Sequence, residues 1–200
     1  MRYIAFDLLD QHRHGSAFRE YLRIRKEFFV DALGWNIPHN AEVEMDQYDN
    51  PCAHYVLVLE EGAVVAGARV MPTTAAWGPH RYMLRDARRG IIQIPATAVP
   101  EEIVSDRVWE CTRLVISGAV TGQADRACCL SQLLHGTAEV VRAQGGDELI
   151  SLSPAAMERT LRQLGFPAER ISEPYREVDG RLYAMLRMPL LMPALAIAAE

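Results

Sequence analysis

What the chain lacks narrows its possibilities first. Of its 21 basic residues only Lys26 is a lysine. A bias that complete reflects genome composition, so each arginine needs its own argument. Its four cysteines, Cys52, Cys111, Cys128 and Cys129, show no CxxC and no paired Cys/His spacing. That pattern excludes a metal or disulfide framework and leaves buried free thiols. No stretch approaches the roughly 18 uninterrupted apolar residues of a membrane span. The opening MRYIAFDLLDQHRH has neither the apolar run nor the cleavage site of a signal peptide. A cytoplasmic protein that does not enter a membrane is therefore expected. There is no basic tract interleaved with aromatics, and the net charge of −5 gives no global attraction for nucleic acid. Repeats and low-complexity segments are also missing.

The composition, 50% hydrophobic and 24% charged over 200 residues, suits one globular domain, residues 1–200, with a sizeable core. From Ser16 to Leu33 apolar residues recur at roughly helical spacing, with Ser16 as cap and Gly34 as stop, which predicts an amphipathic helix. The segment from Trp35 to Ala53 is rich in Pro, Asn and Asp and reads as a long, functional loop. His54 to Glu60 and Ala63 to Met71 form a hairpin turning at Glu61-Gly62. A short charged segment, Arg85 to Arg89, follows. Then come a strand over Arg107 to Ser117, a helix over Ala124 to Ala143, a strand over Glu148 to Ser153 and a helix over Pro154 to Leu164. A final hairpin turns at Asp179-Gly180. Met188 to Ala199 is apolar but broken by Pro189 and Pro193, and reads as a terminal packing segment. The order predicts a mixed sheet covered by helices, of α+β or mixed α/β class.

Charges embedded in strand patterns are the informative feature. Val-Val-Ala-Gly-Ala-Arg69-Val-Met and Val-Trp-Glu110-Cys-Thr-Arg113-Leu-Val-Ile place ionic groups among apolar neighbours, where each must face solvent or find a partner. Arg25, Trp35, Glu44, Asp46 and Asp49 complete a set of opposite charges beside aromatics. One reading is simple alternation on an exposed sheet face. The other is a charged site.

The segments Arg25-Lys26-Glu27-Phe28-Phe29, Leu33-Gly34-Trp35, Glu44-Met45-Asp46-Gln47-Tyr48-Asp49, Ala68-Arg69-Val70-Met71-Pro72-Thr73-Thr74 and Trp109-Glu110-Cys111-Thr112-Arg113 occur in the order of the signature blocks of LuxI-type acyl-homoserine-lactone synthases. The chain resembles that family over about its first 120 residues, and less closely beyond. The family's characteristic positions carry over as Arg25, Phe29, Trp35, Asp46, Asp49, Arg69, Glu110 and Arg113. The resemblance implies a GNAT-like three-layer sandwich whose mixed, splayed central sheet admits the pantetheine arm of a thioester donor. It also implies acylation of S-adenosylmethionine on nitrogen, then lactonisation with release of methylthioadenosine. S-adenosylmethionine is then a substrate, and neither cofactor nor metal is needed. The acyl donor is an acyl carrier protein or coenzyme A thioester.

A substrate bearing a sulfonium, an ammonium and a carboxylate calls for fixed acids, a cation and an aromatic surface. Arg25, Phe29, Trp35, Asp46 and Arg69 are the expected S-adenosylmethionine-binding set. Asp46, Asp49, Arg69, Glu110 and Arg113 are the expected catalytic set, with Glu110 the first candidate for proton acceptor. A salt bridge between Glu110 and Arg113 is its structural alternative. For the donor, Arg113, Gly122, Arg126 and Ser153 are the candidates. Gly118, Gly122 and Arg126 would receive phosphate at a helix start, although the glycine pattern is weak. His12 and His14 read as solvated, and Arg85, Arg88 and Arg89 as either a carrier-protein dock or a solvated face. An N-acyltransferase acting on another amine is the alternative enzyme, and an inactive ligand-binding module the alternative of another class.

Overall fold

The computed structural model describes residues 1–190. Its sheet holds eight strands: β1 (Arg2–Asp7), β2 (His54–Glu60), β3 (Ala63–Pro72), β4 (Val108–Ile116), β5 (Glu148–Pro154), β6 (Glu169–Arg170), β7 (Tyr175–Arg176) and β8 (Leu182–Pro189). They run in the order β1-β2-β3-β4-β5-β8-β6, with β7 also on β8. All neighbours are antiparallel except β4 and β5.

Both faces of the sheet are covered, which explains why β2 reads as a continuous apolar run. Tyr55 and Leu57 face the core under α1 (Ala17–Arg25), while Val56 and Val58 face α3 (Gln123–Ala143). The short α2 (Met83–Arg88) packs on the α1 side, and Leu161 of α4 (Met157–Gln163) joins the core on the α3 side. This is the three-layer arrangement with a mixed sheet expected from the resemblance. The β2–β3 turn has positive φ at both Glu61 (51°) and Gly62 (89°), as a two-residue type I′ hairpin requires.

Several elements differ from the sequence reading. The predicted helix 16–33 changes type at its midpoint: α1 ends at Arg25, and Lys26–Ala32 continue as a π-helix. The wider turn, closed by the Leu33 amide on the Phe28 carbonyl, leaves the apolar spacing near enough to helical to hide the change. Pro154 ends β5 rather than starting a helix, because its residue pairs with Tyr183. Strand β1 is not assigned from the sequence, and helix α2 is marked there only by the short charged segment Arg85 to Arg89. Met188 and Pro189 close β8, Leu190 follows it, and all three are buried or half-buried, while the rest of the proposed terminal packing segment lies outside the described residues.

Candidate active site

Strands β4 and β5 pair over only three positions, Val108↔Glu148, Trp109↔Leu149 and Glu110↔Ile150. Beyond Glu110 they part, and a cavity of about 860 Å³ opens between them. Leu130, Leu134, Leu149, Met157, Leu161 and Leu186 give one wall an apolar surface. Phe29, Trp35, Asp46 and Arg113 supply the other.

Behind Asp46 and Arg113 stands a lattice of three arginines and three acids. Arg25, wholly buried, donates from Nε to Glu44 (2.6 Å) and through both terminal nitrogens to Asp49 (2.8 and 2.9 Å). Arg69, also wholly buried, grips Asp46 with Nη1 and Nη2 (2.6 and 3.2 Å), and its Nη1 lies 2.9 Å from Asp49. Its Nε donates to Thr112 Oγ1 at 3.0 Å. Arg113 reaches Asp46 Oδ2 at 2.8 Å and both Glu44 oxygens at 3.3 Å. With its side chain 8% exposed, Arg113 is the arginine of this lattice that fronts the cavity. The charges balance, as burial demands. Burial pushes the Asp49 carboxyl up, but Arg69 and Arg25 outweigh it and hold the group well below the usual range. Arg69 and Arg113 likewise outweigh burial at Asp46.

Loop 35–53 is shaped by the acids it carries. The Asp46 carboxylate accepts the Tyr48 amide, and the Asp49 carboxylate accepts the Asp46 amide, each at 2.9 Å. These Asx-type bonds fix the turn that points both side chains at the arginines.

Glu110 is not paired with Arg113. Its two oxygens accept the amides of Met83 (2.8 Å) and Leu84 (2.7 Å), the free N–H groups that open α2. The alternative reading of Glu110, a salt bridge to Arg113, fails because Arg113 turns to Glu44 and Asp46 instead. Burial raises the Glu110 carboxyl to about 7, against the opposing pull of the two amides. Asp86 fastens the same helix, accepting from the Tyr48 hydroxyl at 3.0 Å and the Arg81 amide at 3.2 Å.

The π-helix delivers the aromatic wall. Phe29 stacks on Trp35 with centroids 5.0 Å apart, Trp35 leans on Tyr183 at 5.9 Å, and the Arg113 guanidinium lies 5.5 Å from the Phe29 ring centre. Trp35 Nε1 is buried with no hydrogen-bond acceptor among the described residues.

Of the residues singled out from sequence, Phe29, Trp35, Asp46, Arg113, Arg126 and Ser153 line the cavity. Arg25, Arg69 and Asp49 are enclosed behind it, which fits them to hold the acids and Arg113 in place rather than to front the cavity. Gly122 precedes α3 but lies outside the cavity wall, and the Asp125 carboxylate folds toward the place a Gly122 side chain would take. That acid occupies the helix start proposed for phosphate. Arg126 turns one nitrogen to the Val120 carbonyl, and the Ser153 hydroxyl lies 3.0 Å from that of Ser151. Arg85 and Arg89 pair with Glu102, and Arg88 donates to the Val99 carbonyl. His12 bonds the Leu9 carbonyl and His14 stacks on Phe6. Among the described residues no His, Cys, Asp or Glu group has the makings of a metal site, and no helix is long and apolar enough to cross a membrane. Glu44, which the sequence reading counted in the charged set but gave no binding or catalytic role, and Thr112, which it did not place in the site, are both buried partners of the lattice.

The sequence profile of the family described as autoinducer synthase matches residues 10–191. A relative from Acinetobacter nosocomialis, an acyl-homoserine-lactone synthase, is 32% identical over 174 residues, covering 82% of this chain and 86% of its own. The solved structure of TofI in a ternary complex with an inhibitor and MTA superposes with a TM-score of 0.72 at 26% identity, covering 95% and 92%. BjaI, a CoA-dependent acyl-homoserine lactone synthase solved with SAM and isopentyl-CoA, shares the fold at TM-score 0.76 and 18% identity, over 95% and 83%. The arginine–carboxylate lattice, the parted strands and these likenesses converge: the chain belongs to the autoinducer synthase family and is an acyltransferase of the acyl-homoserine-lactone synthase type.

Proposed function

We propose that the cavity brings S-adenosylmethionine against the lattice and the acyl thioester against the apolar wall. The observation that carries this reading is the meeting of Asp46 and Arg113 with that apolar cavity where β4 and β5 part. Arg113 takes the substrate carboxylate and Asp46 attracts the ammonium, while Phe29 and Trp35 give the cationic substrate an aromatic wall. Arg25, Arg69 and Asp49 fix the two groups that touch it. Glu110, raised toward neutrality, accepts the ammonium proton through a water, since its own oxygens are enclosed.

The freed nitrogen attacks the thioester carbonyl. A backbone N–H on the parted strands meets the oxyanion, the C–N bond forms, and the thiol leaves as the C–S bond breaks. The substrate carboxylate then attacks its own carbon next to sulfur. The C–S⁺ bond breaks, methylthioadenosine departs and the lactone closes, with the protein supplying geometry. S-adenosylmethionine is consumed as a substrate, and no cofactor takes part. Arg126 and Ser153 line the donor's path, and the donor is carried on acyl carrier protein or coenzyme A. The reaction belongs in the cytoplasm, where both substrates are made.

Purified chain given S-adenosylmethionine with acyl-carrier-protein and acyl-coenzyme A donors should yield acyl-homoserine lactone and methylthioadenosine in equal amounts by mass spectrometry. Rates with the two donors identify the carrier. Thiol release without methylthioadenosine would mark an N-acyltransferase of another amine, and no turnover a ligand-binding module.

A further inference from the structure

Arg113 stands on an irregular piece of backbone. In the pairing of β3 with β4, Arg69 faces Thr112 but Gly67 faces Val115, so Arg113 and Leu114 together oppose Ala68. This is a β-bulge, and it bends the strand where it leaves β5. Arg113 has φ of 54°, in the left-handed region that a residue with a side chain enters only when its surroundings hold it there.

Tyr21 of α1 is what lies against the bulge. Its hydroxyl donates to the Arg113 carbonyl at 2.8 Å. The ring is wholly buried, with Tyr55 edge-on at 6.1 Å and the Arg25 guanidinium 5.2 Å from its centre. It packs against Gly67, where a Cβ would overlap the ring and lie 2.7 Å from Leu57 Cδ2. Burial pushes the phenol upward, so it remains a donor at any working pH. Tyr21 and Arg25 are one helical turn apart, so one face of α1 grips the acids through Arg25 and the β4 backbone through Tyr21.

We propose that Tyr21 is a positioning residue for catalysis, locking the β4 bulge and thereby aiming the Arg113 guanidinium at Asp46 and the cavity. Tyr21 is not among the residues that line the cavity, so its effect passes through Arg113. Gly67 is its counterpart, leaving room for the ring beside the bulge. The inference relies on the reaction proposed above only for its activity readout.

The test is Tyr21→Phe, which keeps the ring in its slot against Gly67 and removes the donor. Turnover at saturating S-adenosylmethionine and acyl donor should fall roughly tenfold to a hundredfold, as small misplacements of catalytic groups do. The Michaelis constant for S-adenosylmethionine, whose carboxylate Arg113 takes, should rise as turnover falls, while that for the acyl donor stays within about twofold and the melting temperature close to that of the parent. In spectra of protein labelled with ¹⁵N-arginine, the Arg113 Nε–H resonance should move while that of Arg25 stays. Turnover within twofold of the parent, or an unmoved Arg113 resonance, overturns the proposal. A variant that no longer folds would assign Tyr21 to stability alone and overturn it too. If the parent chain itself makes no acyl-homoserine lactone, the proposed reaction fails, and the arginine spectra still decide the role of Tyr21.

Discussion

In and behind one wall of the cavity, which Asp46 and Arg113 front, Arg25, Arg69 and Arg113 meet Glu44, Asp46 and Asp49 across 2.6 to 3.3 Å, whereas on the facing wall Leu130, Leu134, Leu149 and Leu161 contribute only apolar surface. The first wall is held by directional bonds among groups too buried to lose a partner. The second is defined by volume, and its side chains can change size without stranding a charge. Substitutions on the charged wall should therefore abolish the reaction, while those on the apolar wall should redirect it.

The largest effects should come from Asp49→Asn, Asp46→Asn and Arg69→Ala. Each leaves a buried partner uncompensated, a loss on the order of 3–5 kcal/mol. Denaturant melts should show reduced stability, and product formation should all but cease. Three folded variants turning over at the parent rate would erase the distinction between the walls.

Glu110→Gln comes next. Its carboxyl is lifted from 4.5 to about 7, so the folded chain holds that proton more tightly than the unfolded one. The resulting stability is fully present below about pH 4.5 and is lost as pH rises through 7, by roughly 3 kcal/mol. The Gln variant should lack this pH dependence in melts taken between pH 5 and 8. Its turnover should drop about 10²–10⁴-fold, with partial recovery at alkaline pH as more amine arrives deprotonated. A Gln variant that melts normally and keeps parent turnover across pH would remove Glu110 from the mechanism.

Trp35→Ala sharpens the comparison at the seam between the walls, since Trp35 stacks on Phe29 and touches Tyr183 of β8. The Michaelis constant for S-adenosylmethionine should rise by roughly tenfold more than that for the donor, the scale of one desolvated cation–π contact. Equal rises would indicate packing damage shared by both walls. The smallest effect on catalysis should follow Leu134→Ala. Enlarging the apolar wall should move preference toward longer acyl chains by about tenfold, leaving the constant for S-adenosylmethionine unchanged. Competition between donors of different length measures it.

The charged wall was legible because ionic residues inside apolar strands have few fates. Glu110 and Arg113 stood out for that reason, yet a pairing of the two with each other stayed open as an alternative, since a three-residue spacing does not reveal which neighbour across the fold lies closer. The π-helix was hidden because Phe28, Phe29 and Leu33 keep near-helical spacing in either winding. Helix α2 escaped notice because its six residues owe their start to Glu110 and their anchorage to Asp86, partners 26 and 38 positions from the groups they bind, as no local pattern records. Nor does any pattern disclose the bulge at Arg113, which depends on Gly67 accommodating a tyrosine from another element.

The three-pair junction of β4 and β5 also sets where the backbone can exchange its hydrogens. Amides of these strands that face the gap beyond Glu110 and Ile150 have no ladder partner across it, although they lie in the interior of the sheet. They should exchange faster than the amides of β2 and β3 beside them, and a bound acyl donor should slow them selectively. A seam in the middle of the sheet would then report donor occupancy more directly than any residue at its margins.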